Sequence, residues 1–159
     1  MGSGGAQVLL TGVTGFVGKV VLEHLVREHE AHDIETVHVL IRPRRGRSPE
    51  ERFNRRIATS KCFDELPTGW TDQVQVVAGE MTEEDLGLDE ATTNALAASV
   101  THIIHCAASI EFDLPVKEAA SANITGALNM LEFARGCSSL VAFTNCSTAY
   151  VTPADPADG

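Results

Sequence analysis

The sequence predicts an α/β fold, a doubly wound parallel sheet with strand order 3-2-1-4-5, and three observations carry that expectation. Short apolar runs alternate with helix-length segments along the chain, the first run opens onto a turn with glycines at 12, 15 and 18, and the second stops at a Pro inside a basic cluster. Alternation of this kind implies right-handed crossovers between parallel strands. Ligands of such sheets bind beyond the carboxyl ends of the strands, which directs attention to the ends of the first, second, fourth and fifth.

Gln7 to Thr11 has the length and branching of a buried strand, and Phe16 to Glu28 carries apolar residues at 17, 20, 21, 22, 25 and 26, a broad helical face. Between them Gly12 permits a tight bend, Gly15 lets the backbone approach a pyrophosphate, and Gly18 lets the helix pack against the sheet. Thr14, Phe16 and Val17 complete this turn, so a ligand's negative charge meets unpaired N–H groups and the positive helix end. The glycines alone also fit a plain turn in an unrelated α/β protein. Thr36 to Ile41 is a second strand, ended by Pro43, and Ser48-Pro49-Glu50 opens a short helix with a Ser cap. Gln73 to Ala78 makes a third strand, residues 89 to 98 a short helix capped by Asp89, and Val100 to Cys106 a fourth strand. Glu118 to Arg135 reads as one long helix, and Leu140 to Cys146 as a fifth strand running into Ser147-Thr148-Ala149-Tyr150. Residues 1–151 are expected to form one dinucleotide-binding domain and 152–159 a flexible tail.

The net charge is −10, yet seven of the twelve basic residues fall between Arg42 and Arg56. An acidic surface with one basic stretch excludes nucleic acid as a bulk partner. Cys62, Cys106, Cys137 and Cys146 show no Cys-x-x-Cys spacing, which points to reduced thiols and a cytosolic setting. No apolar run reaches the roughly 18 residues of a spanning helix. His29-Glu30-Ala31-His32 is one residue short of the His-Glu-x-x-His spacing, so no metal is expected.

The end of the second strand reports on the dinucleotide. An NAD site usually places Asp or Glu there, whereas this chain has Arg42, followed by Arg44, Arg45 and Arg47. A guanidinium grips a 2′-phosphate with two charge-assisted hydrogen bonds, so the reading is NADP. For Arg45, Arg47, Arg55 and Arg56 a solvated loop is the competing reading.

The runs from Val8 to Lys19, Val39-Leu40-Ile41-Arg42-Pro43, Asp85-Leu86-Gly87-Leu88, His105-Cys106-Ala107-Ala108 and Ser147-Thr148-Ala149-Tyr150-Val151 resemble the N-terminal half of a fatty acyl-CoA reductase. That family is similar to thioester reductase domains, and both are extended short-chain dehydrogenase/reductases of the Rossmann type. The resemblance implies reduction of a fatty acyl-CoA by NADPH to a fatty aldehyde or alcohol. It places Cys106, Ala107 and Ala108 beside the cofactor, and gives the adenine contact to the Glu80-Met81 pair, where the family usually has Asp-Leu. It makes Thr148, with Ser147 as runner-up, the hydroxyl that polarises the thioester carbonyl; a local turn in which either bonds its own backbone is the alternative. Asn123 resembles the helix Asn that holds a water near the proton relay, with an ordinary surface Asn as the competing reading. A thiol nucleophile at Cys106 is not expected, because hydride transfer to a thioester needs no covalent enzyme intermediate. Tyr150 is not assigned as proton donor, because Ala154, not Lys, follows four residues later. The chain is therefore expected to be an incomplete domain, inactive alone, with most of the acyl-CoA site elsewhere and with association through an uncovered sheet edge. Cytosol or the cytoplasmic face of a membrane is the expected location, with peroxisome and endoplasmic reticulum open to a longer protein. The second functional reading is a non-catalytic NADPH-binding sensor or scaffold.

Overall fold

The computed structural model describes residues 4–148. Five parallel strands form one sheet in the order β3-β2-β1-β4-β5: β1 (Ala6–Thr11), β2 (Ile34–Ile41), β3 (Val74–Ala78), β4 (His102–His105) and β5 (Ala142–Asn145). The predicted strand order is the one observed. The helices between strands are α1 (Phe16–Arg27), α2 (Pro49–Phe53), α3 (Glu90–Ser99), α4 (Val116–Ala120) and α5 (Gly126–Gly136).

The period-2 alternation of a strand explains how two cores arise from one sheet. Val8 and Leu10 of β1, with Val37, Val39 and Ile41 of β2, face Leu22 and Val26 of α1 and Phe53, Ile57 and Phe63 beyond β2. Leu9, Leu40, Val77 and Ile103 point the other way and meet Leu96 of α3 and Met130, Phe133 and Ala134 of α5. With both faces of β1 covered, Leu9 and Leu10 are each fully buried, which explains why that strand reads as a continuous apolar run.

Several boundaries differ from the sequence reading for local reasons. The apolar run from Val100 splits, because Val100 is the C-cap of α3, fully buried, and its N–H bonds Leu96 O; β4 begins only at His102. β2 starts two residues earlier, at Ile34, where the chain leaves a turn through Asp33 at φ +50°. The expected single helix from Glu118 to Arg135 is interrupted: a π-helical turn, Ser121–Thr125, separates α4 from α5. Such a turn holds one extra residue and rotates the face that follows, which positions Asn123 differently from a regular helix. The predicted caps are present. Ser48 accepts from Glu51 N in a reciprocal capping box, and Asp89 accepts from Thr92 N.

Candidate functional site

The carboxyl ends of the strands converge on the turn after β1. Gly12 lies at φ +80°, and a Cβ there would stand 2.6 Å from the carbonyl carbon of Cys106 and 2.7 Å from Ala107 N, so only glycine lets β1 pass this close to the end of β4. A Cβ on Gly18 would fall on the Gly12 carbonyl, so the third glycine lets the first turn of α1 close on the end of β1 while Leu22 and Val26 of the same helix pack on the sheet. Gly15 is different, since a Cβ there would meet only Gly12 O, at 3.3 Å, with its other side open. Gly15 caps α1 with extended backbone and no side-chain hydrogen bond, and the first turn of α1 carries no acid. The unpaired amides and the positive helix end therefore face outward, with Thr14 half-buried and Phe16 and Val17 exposed around them.

At the end of β4, the Ala107 N–H donates to Thr11 Oγ1 at 3.2 Å, and the same hydroxyl lies 2.8 Å from His105 Nδ1. Burial pushes the His105 pKa down, and His38 in β2 is lowered by the same cause. Both imidazoles thus protonate less readily in the fold than in the unfolded chain, where they take up protons below about pH 6.5. The unfolded state then binds more protons, so stability is full above that pH and falls as the solution is acidified. Urea midpoints measured between pH 7.5 and 5.5 are expected to drop, and a His38→Gln, His105→Asn double variant to flatten that drop; an unchanged slope would remove the two histidines as its cause. Cys106 is half-buried, its thiol pushed up by burial and by Cys146 beside it at the end of β5. Ala108, Ser147 and Thr148 are exposed. Tyr150 lies outside the described residues.

The expected adenine side is built by a tight loop. Asp85, Leu86 and Gly87 follow one another at φ +49°, +60° and +65°, and Leu86, fully buried, anchors this unusual run while its carbonyl accepts from Glu80 N at 2.7 Å. Glu80 is thereby fixed at the end of β3, where its carboxylate pairs with Arg42 Nη1 at 3.1 Å. The sequence assigned these two residues to separate parts of a ligand; the structure brings them into contact. Met81 turns away from them: its side chain packs on Gly126 and its carbonyl accepts from Asn129 Nδ2 at 2.9 Å. Asn123, in the π turn, uses its amide on the loop after β4, accepting from Ser109 N at 2.7 Å and donating to Ser109 O at 3.0 Å. Both ends of that amide are engaged by the backbone of Ser109, so Asn123 ties the π turn to the loop after β4.

Arg52 is the residue that sequence reasoning missed. It is 6% exposed, and its Nη1 donates to the carbonyl of Arg42. Burial lowers its pKa, and so does the positive charge of Arg42, Arg56 and Arg44. The signal was present in the spacing: Pro49, Arg52 and Phe53 are the buried residues of α2, so the arginine lies on the face that carries the core. Arg45 and Gly46, at φ +54° and +72°, make the tip of a turn closed by hydrogen bonds in both directions between Arg44 and Arg47. Arg44, Arg45 and Arg47 of the turn and Arg52, Arg55 and Arg56 of the helical stretch after it line a half-open cavity of about 320 Å³. Among the described residues no group of three or more His, Cys, Asp or Glu could hold a metal ion, and no helix is long and apolar enough to cross a membrane.

The family described as Male sterility protein matches residues 10–158 of the chain. Fatty acyl-CoA reductase 1 of Gallus gallus is 35% identical over 149 residues, covering 92% of this chain and 28% of that protein; the chain thus spans under a third of this relative's length. Among solved structures, the reductase domain of a nonribosomal peptide synthetase from Mycobacterium tuberculosis is 30% identical with a TM-score of 0.68, over 91% of this chain and 33% of that one. The terminal R domain of the myxalamid PKS-NRPS pathway shares the fold at a TM-score of 0.76 and 24% identity, over 96% of this chain and 37% of that one. The family match spans all but the first nine residues and the last one, and the chain belongs to the male sterility protein family, with fatty acyl-CoA reductases among its relatives.

Proposed function

We propose that this chain is the NADPH-binding part of a reductase acting on fatty acyl thioesters. The observation that carries the proposal is Arg42 at the end of β2, in the position where an NAD site usually has an acid, with the buried guanidinium of Arg52 bonded to its carbonyl. The residues present fit the dinucleotide: Gly15 leaves a backbone surface open, the first turn of α1 has no competing carboxylate, and Arg52 is a buried cation among cations that gains from an anion. Gly12, Gly15 and Gly18, with Thr14, Phe16 and Val17, would hold the pyrophosphate, and Arg42, Arg52 and Arg45 the 2′-phosphate. Glu80 would meet the adenine, while Cys106, Ala107 and Ala108 would border the nicotinamide end. Bound NADPH supplies the hydride. The hydroxyl of Thr148, or that of Ser147, would donate to the thioester carbonyl oxygen as negative charge develops there.

Titration calorimetry checks the cofactor: NADP⁺ is expected to bind and NAD⁺ to bind more weakly, and equal affinities would overturn the NADP reading. The only tyrosine is Tyr150, without a Lys four residues on, so the 159-residue chain is expected to bind NADPH without consuming it in the presence of a long-chain acyl-CoA. Steady loss of NADPH absorbance under those conditions would contradict that expectation.

A further inference from the structure

The arginines around the cavity are more numerous than one phosphate requires. Segment 42–56 holds seven arginines and two carboxylates, Glu50 and Glu51. Glu51 is occupied in the capping box, accepting from Ser48 N at 3.1 Å. Glu80 offsets one further charge through its pair with Arg42, which among the described residues is the one ion pair made by any arginine of this segment. A phosphate monoester brings about −1.5 to −2 charges, so an excess of about two positive charges remains with the dinucleotide in place. Like charges converging on one cavity repel, and two backbone devices nevertheless hold them there. The left-handed Arg45-Gly46 pair closes the turn that carries Arg44, Arg45 and Arg47, while a π-helical stretch, Asn54–Ala58, continues α2 and presents Arg55 and Arg56. Ile57 in that stretch is fully buried, so the core pins the helix that displays them.

We propose that Arg44, Arg47, Arg55 and Arg56 form a second phosphate site, separate from the 2′-phosphate contacts of Arg42, Arg45 and Arg52, that takes a multiply phosphorylated ligand while the dinucleotide is bound. The proposal rests on the NADPH reading only for the identity of the first anion. Planar guanidinium forks from two facing elements suit a diphosphate, each fork bridging two oxygens. Such chemistry has two sources, the phosphoadenosine diphosphate end of coenzyme A and the headgroup of a phosphoinositide.

The test is calorimetry with inorganic pyrophosphate on the chain with and without saturating NADP⁺. Pyrophosphate is expected to bind in both states, and an Arg55→Gln, Arg56→Gln variant, shown folded by circular dichroism, to weaken it at least about tenfold while NADP⁺ affinity changes by no more than about twofold. Competition between pyrophosphate and NADP⁺ for one site, no binding of pyrophosphate, or a variant that binds it normally would each overturn the second site. Pyrophosphate binding in a chain that fails to bind NADP⁺ would sink the dinucleotide reading and leave this site standing. Two further arms identify the source. Tighter, arginine-dependent binding of coenzyme A than of dephospho-coenzyme A assigns the site to the substrate, and binding confined to phosphoinositide vesicles over phosphatidylcholine vesicles assigns it to a headgroup. Failure of both arms would overturn the site as a ligand site.

Discussion

Replacing Gly12 by alanine is expected to abolish dinucleotide binding and to lower stability by about 2–4 kcal/mol. Two costs add. An L-residue at φ +80° pays about 1–2 kcal/mol for the left-handed region, and the new Cβ must be accommodated against the Cys106 carbonyl and the Ala107 amide, at 2.6 to 2.7 Å. These are backbone atoms, held by the ladder of β4 on β1 and by the Ala107 N–H to Thr11 Oγ1 bond, so relief requires the two strands to part at their carboxyl ends. Parting them moves the surface on which a dinucleotide would rest. Gly46→Ala is the control: it too has a positive φ, +72°, but nothing lies within 4 Å of its Cβ, so only the conformational cost of about 1–2 kcal/mol is expected, without the loss at the cradle. Urea unfolding and NADPH fluorescence titration of the two variants separate the effects. Equal behaviour of Gly12→Ala and Gly46→Ala would show that the contact with β4 does not matter.

What the sequence disclosed, and what it withheld, follows from how local each determinant is. The strands and the glycine turn were readable because a buried parallel strand is a short branched run and a left-handed turn selects glycine, both decided within a few residues. Arg52 was not, because a charge is read as solvated and its burial depends on Phe53 and Ile57 turning the same face of the helix to the sheet. The π turn at Ser121–Thr125 left no signature in the hydrophobic period, so the clamp of Asn123 on Ser109 could not be anticipated. The pairing of Arg42 with Glu80 was also hidden: it depends on the left-handed Asp85-Leu86-Gly87 run that fixes Glu80 beside the end of β2, and non-glycine residues give little notice of that conformation. Sequence thus located the ends of the strands where function is expected, and tertiary packing decided which side chains meet there.

The Arg42–Glu80 pair also decides what Arg42→Ala should do. In the dinucleotide-free chain the Arg42 guanidinium is half-exposed and bonded to Glu80, and a pair of that kind is worth about 0–1 kcal/mol. A charged hydrogen bond to a 2′-phosphate is worth about 1.5–3 kcal/mol, so the phosphate wins the guanidinium from the carboxylate. Removing Arg42 should therefore weaken NADPH by that amount, roughly 10- to 150-fold. NADH has no phosphate to lose a partner, and Glu80, freed from its ion pair at the end of β3, becomes an acceptor of the kind that an NAD site places near the ribose hydroxyls. NADH affinity is then expected to hold or rise, narrowing the preference from both directions. Glu80→Gln should act in the opposite sense, releasing Arg42 for the phosphate and strengthening NADPH by no more than the pair's own small worth. Fluorescence titrations of both cofactors against the two variants measure these shifts. An equal loss of NADPH and NADH on Arg42→Ala would remove Arg42 from the phosphate site and leave the end of β2 a structural anchor for Arg52.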